Sequence, residues 1–317
     1  MRPSYLDAYE NGTLAAVAER ALKGLECCQV CPRRCEANRL ENKPGFCKTG
    51  RNPRVYSYLA HHGEEPPISG SSGSGTIFFS GCNMACVYCQ NYKFSQGNGG
   101  REVEAKELAG FMLELQARGC HNINLVTPTH ILPQILEALI VAIEGGLKLP
   151  LVYNTSGYDS LETLQLLEGI VDIYLADMRY GDKRSSLKYS AAPDYPEVNR
   201  RAVKEMHRQV GLARFDENEI MTRGLIIRHL VLPGDHAGTE EIMRFVSREI
   251  SPKSYVSLMS QYMPYHRAKE FNELSRRIHI QEYDAATSLM QQYGLHNGWT
   301  QEAGGLEIFA GPNIKPI

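Results

Sequence analysis

The chain has 317 residues, 43% apolar and 22% charged, enough to bury one large core or a core with an appendage. A formal net charge of −2 excludes both the basic excess of a nucleic-acid binder and a strongly acidic tail. Residues 1–7 hold no apolar secretory core, and the longest apolar runs, such as 136–143, are too short to span a bilayer.

In chain order, the first informative stretch is 27–47, rich in cysteine and punctuated by Pro and Gly. Cys28, Cys31, Cys35 and Cys47 read C-x2-C-x3-C-x11-C, and the C-x2-C spacing favours Cys28 over Cys27. Four such thiolates either close a tetrahedral zinc site or fully ligate an iron–sulfur cluster. Either closed site stabilises a segment too small for its own core. His61, His62, Glu64 and Glu65 precede a Gly/Ser loop ending at Gly75. They reach a pocket as acid/base or hydrogen-bonding groups, or else form a solvated loop.

A buried strand is expected over 76–80, delivering the loop with Cys82, Cys86 and Cys89, spaced C-x3-C-x2-C. Three thiolates on one short loop can hold three irons of a four-iron cluster and leave the fourth iron open. Buried thiols, disulfides, or zinc with a distant fourth ligand are the alternatives. Clustered cysteines read as metal sites in a reducing compartment. An oxygen-labile open cluster adds the expectation of an anaerobic or protected cytoplasm.

From there, helices and strands alternate. Helices are expected over 104–118, 132–143, from a cap at Asp159 or Ser160 to 167, 197–210 and 239–249. Strands are expected over 123–126, 149–153, 171–176, 225–232 and 255–259. Six strands, five followed by a helical crossover, predict an α/β protein with a parallel sheet, as a barrel or an open fraction of one. The working residues of such a barrel lie at the C-terminal strand ends. Those ends carry Thr127, Thr129 and His130, then Asn154 and Ser156, then Asp177 and Arg179, and finally Gln261, Tyr262, Tyr265 and His266. Asp177 and Arg179 can pair with each other. Arg228 lies inside an apolar strand, where a charge is costly unless partnered. His229 alternates to the other face, into the core, and Cys120 reads as a buried thiol.

The loop from Gly81 to Gln90 resembles the radical S-adenosylmethionine (SAM) superfamily. Further stretches resemble its pyruvate formate-lyase-activating-enzyme-like branch, often labelled PflX-like: Cys28 to Cys35, His61 to Gly70, Asn124 to His130, Tyr153 to Tyr158 and Arg228 to Gly234. The Gly-Gly-Glu segment of many relatives is absent, the extra cysteines precede the SAM loop, and Arg179 stands where activases have Asp-x-Lys.

The resemblance implies a partial (β/α)6 TIM-type barrel over 71–270. A cysteine-rich metal-binding segment over 1–70 precedes it, and a C-terminal extension over 271–317 packs on it. Within that extension, residues 296–302, with the single Trp299, cover the barrel or pack beneath it. The resemblance also implies a [4Fe-4S] cluster on Cys82, Cys86 and Cys89, with SAM chelating the open iron. Reductive cleavage of SAM then yields methionine and a 5′-deoxyadenosyl radical that abstracts hydrogen from a substrate. Tyr88 contacts the adenine or packs under the loop. Thr127 and Thr129 offer oxygens to SAM or substrate. Asn154 and Ser156 suit a ribose or the methionyl carboxylate, or form a hydrogen-bonded turn. Asp177 is counted with the cofactor-binding residues. Arg228 meets the SAM carboxylate or a protein carboxylate. Cys28, Cys31, Cys35 and Cys47 hold a second [4Fe-4S] cluster or zinc; a cluster there relays electrons or anchors a substrate. Reduced ferredoxin or flavodoxin is the implied donor. The implied substrate is a protein or peptide, as for a glycyl-radical activase. The alternatives are a small metabolite, or an iron–sulfur electron-transfer protein without catalysis.

Overall fold

The computed structural model describes residues 2–97, 99–301 and 314–317. The strands are β1 (Arg54–His61), β2 (Ser74–Phe79), β3 (Arg101–Glu102), β4 (Ile123–Val126) and β5 (Leu151–Thr155). They continue with β6 (Ile173–Asp177), β7 (Arg214–Phe215), β8 (Met221–Leu230), β9 (Tyr255–Met259) and β10 (Asn297–Thr300). The sheet runs β10-β9-β8-β6-β5-β4-β2-β1-β3, with β7 paired to β8. β2, β4, β5, β6, β8 and β9 are parallel neighbours, and β10 adds a seventh parallel strand. β1 runs antiparallel along β2. This is the mixed α/β, largely parallel architecture of a partial TIM-type barrel.

Period-two alternation divides the strand residues between two surfaces. Ile77, Leu125, Tyr153, Tyr174, Ile227 and Val256 share one hydrophobic core with Leu108, Met112, Leu136 and Leu139 of the helices Ala105–Ala117 and Leu132–Glu144. Each such Leu or Ile contributes about 1.5–3 kcal/mol on burial. Phe78, Val126, Asn154, Asp177, Arg228 and Met259 take the alternate positions and line a cavity. The inner surface is thus free to carry polar groups without weakening the outer core.

The N-terminal helices Ser4–Glu10 and Thr13–Lys23 are built onto the barrel wall. Tyr5, Leu14 and Ala18 join the same core, and helix Thr13–Lys23 packs on Leu132–Glu144. Asp172, just before β6, accepts from the backbone N–H of Ser4 (2.8 Å) and of Leu151 (3.0 Å), tying this end to two strands.

The six expected parallel strands and their helical crossovers are present, with shifted ends. β5 and β6 run two and one residues further than expected, because Asn154, Thr155 and Asp177 stay in the ladder despite their polarity. The expected helix 239–249 ends at Phe245, and its last turn, Val246–Ile250, is widened to a π-helix. The helix Lys183–Ser190, capped by Asp182 on the Ser185 N–H, was not anticipated. Trp299 in β10 packs on Tyr255 at the sheet edge; Glu302 lies outside the described residues. Among the described residues no helix is long and apolar enough to cross a membrane.

Leu14→Ala should lower the stability of the whole barrel by about 2–5 kcal/mol. A single urea transition shifted to lower midpoint is expected. A separate early transition with the main one unmoved would show that the N-terminal helices dock independently.

Candidate metal and cofactor site

The cysteine loop leaves the C-terminal end of β2 and is pinned from three sides. Gly81 has φ +83°, and a Cβ there would sit 2.5 Å from the Cys47 carbonyl oxygen, so only glycine fits. The Gly81 N–H donates to Phe94 O (2.9 Å) and Arg33 Nε to Asn83 O (2.9 Å). On the far side the N–H groups of Ala85 and Val87 donate to Ser190 O and Tyr189 O, at the end of the helix Lys183–Ser190. That helix is strongly polar, yet it shapes the loop.

All three loop sulfurs take part in hydrogen bonds. The Met84 N–H donates to Cys82 Sγ (3.3 Å), and Cys89 Sγ lies 3.2 Å from Ser95 Oγ. Cys86 Sγ takes two donors, Arg179 Nη1 (3.2 Å) and Ser190 Oγ (2.9 Å). The Ser190 oxygen lies 2.6 Å from Tyr180 Oη. Burial pushes the Cys82 thiol up to about 12, so it becomes a thiolate near neutral pH only where a metal displaces its proton. Among the described residues no three His, Cys, Asp or Glu side chains close around a single ion.

Beside the loop lies the cavity at the strand ends. Of the residues singled out from the sequence, Tyr88, Cys89, Thr127, Asn154, Ser156, Asp177 and Arg228 line it, and so do His61, Glu64, Arg179, Gln261, Tyr262 and Tyr265. Tyr88 is buried edge-on against Tyr180 and Tyr262. Thr127 holds a left-handed φ of +60°. Ser156 Oγ is buried with no hydrogen-bond partner. Thr129 lies outside the lining: its hydroxyl donates to Asp159 (2.8 Å), next to Thr155, and so braces the wall from behind. His130 is also turned away, with Nε2 2.9 Å from Ser80 O. Burial lowers its pKa to about 4.

A chain of charges crosses the cavity floor. Arg179 Nη2 pairs with Asp177 (2.6 Å) and Arg228 Nε with the other Asp177 oxygen (2.8 Å). Arg228 also donates to Asn154 Oδ1 (2.6 Å) and reaches Glu64 (3.3 Å). All three Arg228 nitrogens therefore have protein partners. Burial alone would push the Asp177 carboxyl up, but Arg228 and Arg179 hold it below its usual value. Burial raises Glu64 and Glu65, partly opposed by Arg228. His229 points into the core, between Met178 O and the Thr239 hydroxyl. Sequence reasoning missed Ser190; its signal was the Asp182 cap three residues before Ser185, which marks the helix start. It raised Glu64 only as one of the four polar residues His61, His62, Glu64 and Glu65.

The N-terminal cysteines come together as well. Cys28, Cys31, Cys35 and Cys47 line one small cavity, with Asn83 of the cysteine loop and His130 in its wall. Cys27 is exposed and outside it, and Cys120 is a buried thiol elsewhere.

Residues 76–246 match the family model "Radical SAM superfamily", which spans β2 to β8. The chain is 32% identical over 278 residues to "Uncharacterized protein MJ0674" of Methanocaldococcus jannaschii, covering 84% of this chain and 75% of that one. The matched span holds the three-cysteine loop and the ends of β4, β5, β6 and β8 that line the cavity, and the chain belongs to the radical SAM superfamily.

Proposed function

We propose that Cys82, Cys86 and Cys89 hold the [4Fe-4S] cluster of this family and that SAM occupies the adjoining cavity. When bound, this pair supplies a 5′-deoxyadenosyl radical by one-electron reductive cleavage of SAM, and the radical abstracts hydrogen from a substrate. The observation that carries the reading is Cys86: a buried sulfur met by a guanidinium and a hydroxyl is an environment for a negatively charged, metal-bound thiolate. The unpartnered Ser156 Oγ on the cavity wall fits a polar ligand beside that loop.

The chain's own residues orient and shield. Tyr88 and Tyr262 exclude water on the loop side. Thr127, Asn154, Ser156, Asp177 and Arg228 form a polar wall for SAM, with Thr129 supporting it through Thr155 and Asp159. Because Arg228 is held by Asp177, Glu64 and Asn154, it acts on a ligand as the fixed edge of a charge network.

The motifs shared with the PflX-like branch support a protein or peptide substrate and a glycyl-radical-activase-like reaction. A small polar metabolite is the second reading, favoured by the buried charged floor of Glu64, Asp177 and Arg228. Cys28, Cys31, Cys35 and Cys47 hold a second metal centre in this proposal. A lone zinc ion needs four sulfurs about 2.3 Å from one point. Four thiols lining one cavity supply the ligand number that fully caps a cluster, the reading taken here. A cytoplasmic setting, reduced ferredoxin or flavodoxin as donor, and the division at about residues 70 and 270 complete the proposal.

Incubated anaerobically with dithionite and SAM, the protein should release 5′-deoxyadenosine. Replacing Cys82, Cys86 and Cys89 together with Ala should remove about four irons and abolish that product; a triple variant that still cleaves SAM refutes the assignment. Arg228→Ala leaves Asp177 and Glu64 facing each other and should cost about 3–5 kcal/mol in urea unfolding, with Arg228→Lys recovering part of the loss. Ser190→Ala removes one donor to Cys86. Its iron content should match the wild type while the cluster's midpoint potential falls; an unchanged potential would show that this hydrogen bond is structural only.

A further inference from the structure

The N-terminal cysteine site has one face against the SAM-cluster loop and the other at the solvent. On the inner face, Asn83, next to Cys82, forms part of its wall and accepts from Arg33. The Cys47 carbonyl presses on Gly81. Arg39 spans the remaining gap: Nη1 lies 3.6 Å from Cys28 Sγ and 2.7 Å from His130 O, while His130 bonds the Ser80 carbonyl. Residues 81 and 83 of the cluster loop are thus in direct contact with the N-terminal site, and residue 80 is joined to it through His130.

The site is also prepared for negative charge. Arg39 is 1% exposed, and its Nη2 has no hydrogen-bond partner. A buried guanidinium with an unmet donor is costly unless an anion stands beside it. The four thiols are the anion source there, once metal binding has taken their protons.

On the outer face Cys35 is exposed, and its sulfur accepts from the Phe46 N–H (3.4 Å). Phe46 and Leu40 are 41% and 42% exposed, two of the few large apolar side chains on the described surface to be so. Between positions 33 and 51, the buried Arg39 aside, the chain has five basic residues and two acidic ones, against a net charge of −2 overall. Exposed apolar side chains on a segment of net positive charge fit a small acidic protein.

Resting on the two-cluster reading above, we propose that the N-terminal cysteine site is the electron entry port. A small acidic electron carrier, iron–sulfur or flavin, docks over Cys35, Leu40 and Phe46. One electron leaves the reduced carrier, resides on the N-terminal cluster, and passes through the Cys47–Gly81 and Arg33–Asn83 contacts to the cluster on Cys82, Cys86 and Cys89. The carrier is oxidised by one electron, the inner cluster is reduced by one, and the N-terminal cluster returns to its starting state.

The test uses the full chain prepared anaerobically, with reduced flavodoxin or dithionite as reductant. Wild type should contain about eight irons and no zinc. Its fully reduced form should show an electron paramagnetic resonance spectrum broadened by two interacting clusters. Leu40→Asp should slow cluster reduction by flavodoxin about tenfold at low salt while leaving reduction by dithionite unchanged. The variant Cys31→Ser with Cys47→Ser should keep about four irons and lose the broadening and the flavodoxin route. Zinc at the N-terminal site, or equal flavodoxin rates in wild type and Leu40→Asp, overturns the proposal; the Leu40 variant answers even where the double variant does not fold. SAM cleavage with dithionite is read separately. Its absence in wild type tells against the radical SAM reading, whereas its presence with zinc in the N-terminal site tells against the port alone.

Discussion

The barrel interior depends on a continuous series of buried charges that ends at a sulfur. Cys86 accepts from Arg179, Arg179 grips Asp177, Asp177 grips Arg228, and Arg228 reaches Glu64. In a low-dielectric interior each of these charges is tolerable only because its neighbour is present. The series therefore fixes the cysteine loop, β6, β8 and the segment before β2 relative to one another. Glu65 adds a third buried carboxyl against two guanidiniums, and burial raises both glutamates while Arg228 opposes the rise.

The fold was legible where apolar residues ran without interruption. Ile123–Val126 and Tyr255–Met259 read as strands with their ends correctly placed, because a single polar residue in each, Asn124 and Ser257, left enough apolar neighbours to carry the pattern. Elements on the margin were not. The antiparallel β1 carries Arg54, Ser57 and His61 among its apolar residues, and no clean period of two emerges. The helix Thr13–Lys23 does have its signal, with Leu14, Ala18 and Ala21 on one face, but alanine is a weak marker of a buried stripe.

Three thiols at fixed spacing define the metal loop, and cysteine chemistry is specific enough to be read from one sequence. A partner supplied by tertiary contact is not. Ser190 is 104 residues from Cys86, and nothing local in a polar octapeptide shows that its hydroxyl turns to a sulfur. Arg228 is intermediate. A charge in an apolar strand had to find a carboxylate, but only the register of β6 beside β8, with Asp177 opposite Arg228, shows that protein carboxylates meet it. Thr129 is two residues beyond Thr127, and the short 3-10 turn Thr129–Ile131 is enough to rotate its hydroxyl out of the cavity.

The contact between Gly81 and Cys47 has a bearing on how this protein can vary. The space between the front segment and the loop is narrower than a methyl group, since even a Cβ at Gly81 would collide with the Cys47 carbonyl. The two pieces are therefore mates cut to one seam. A front segment transplanted from a distant relative would have to reproduce that backbone path within tenths of an ångström, so chimaeras joined near residue 50 inherit a steric conflict before any chemistry is asked of them.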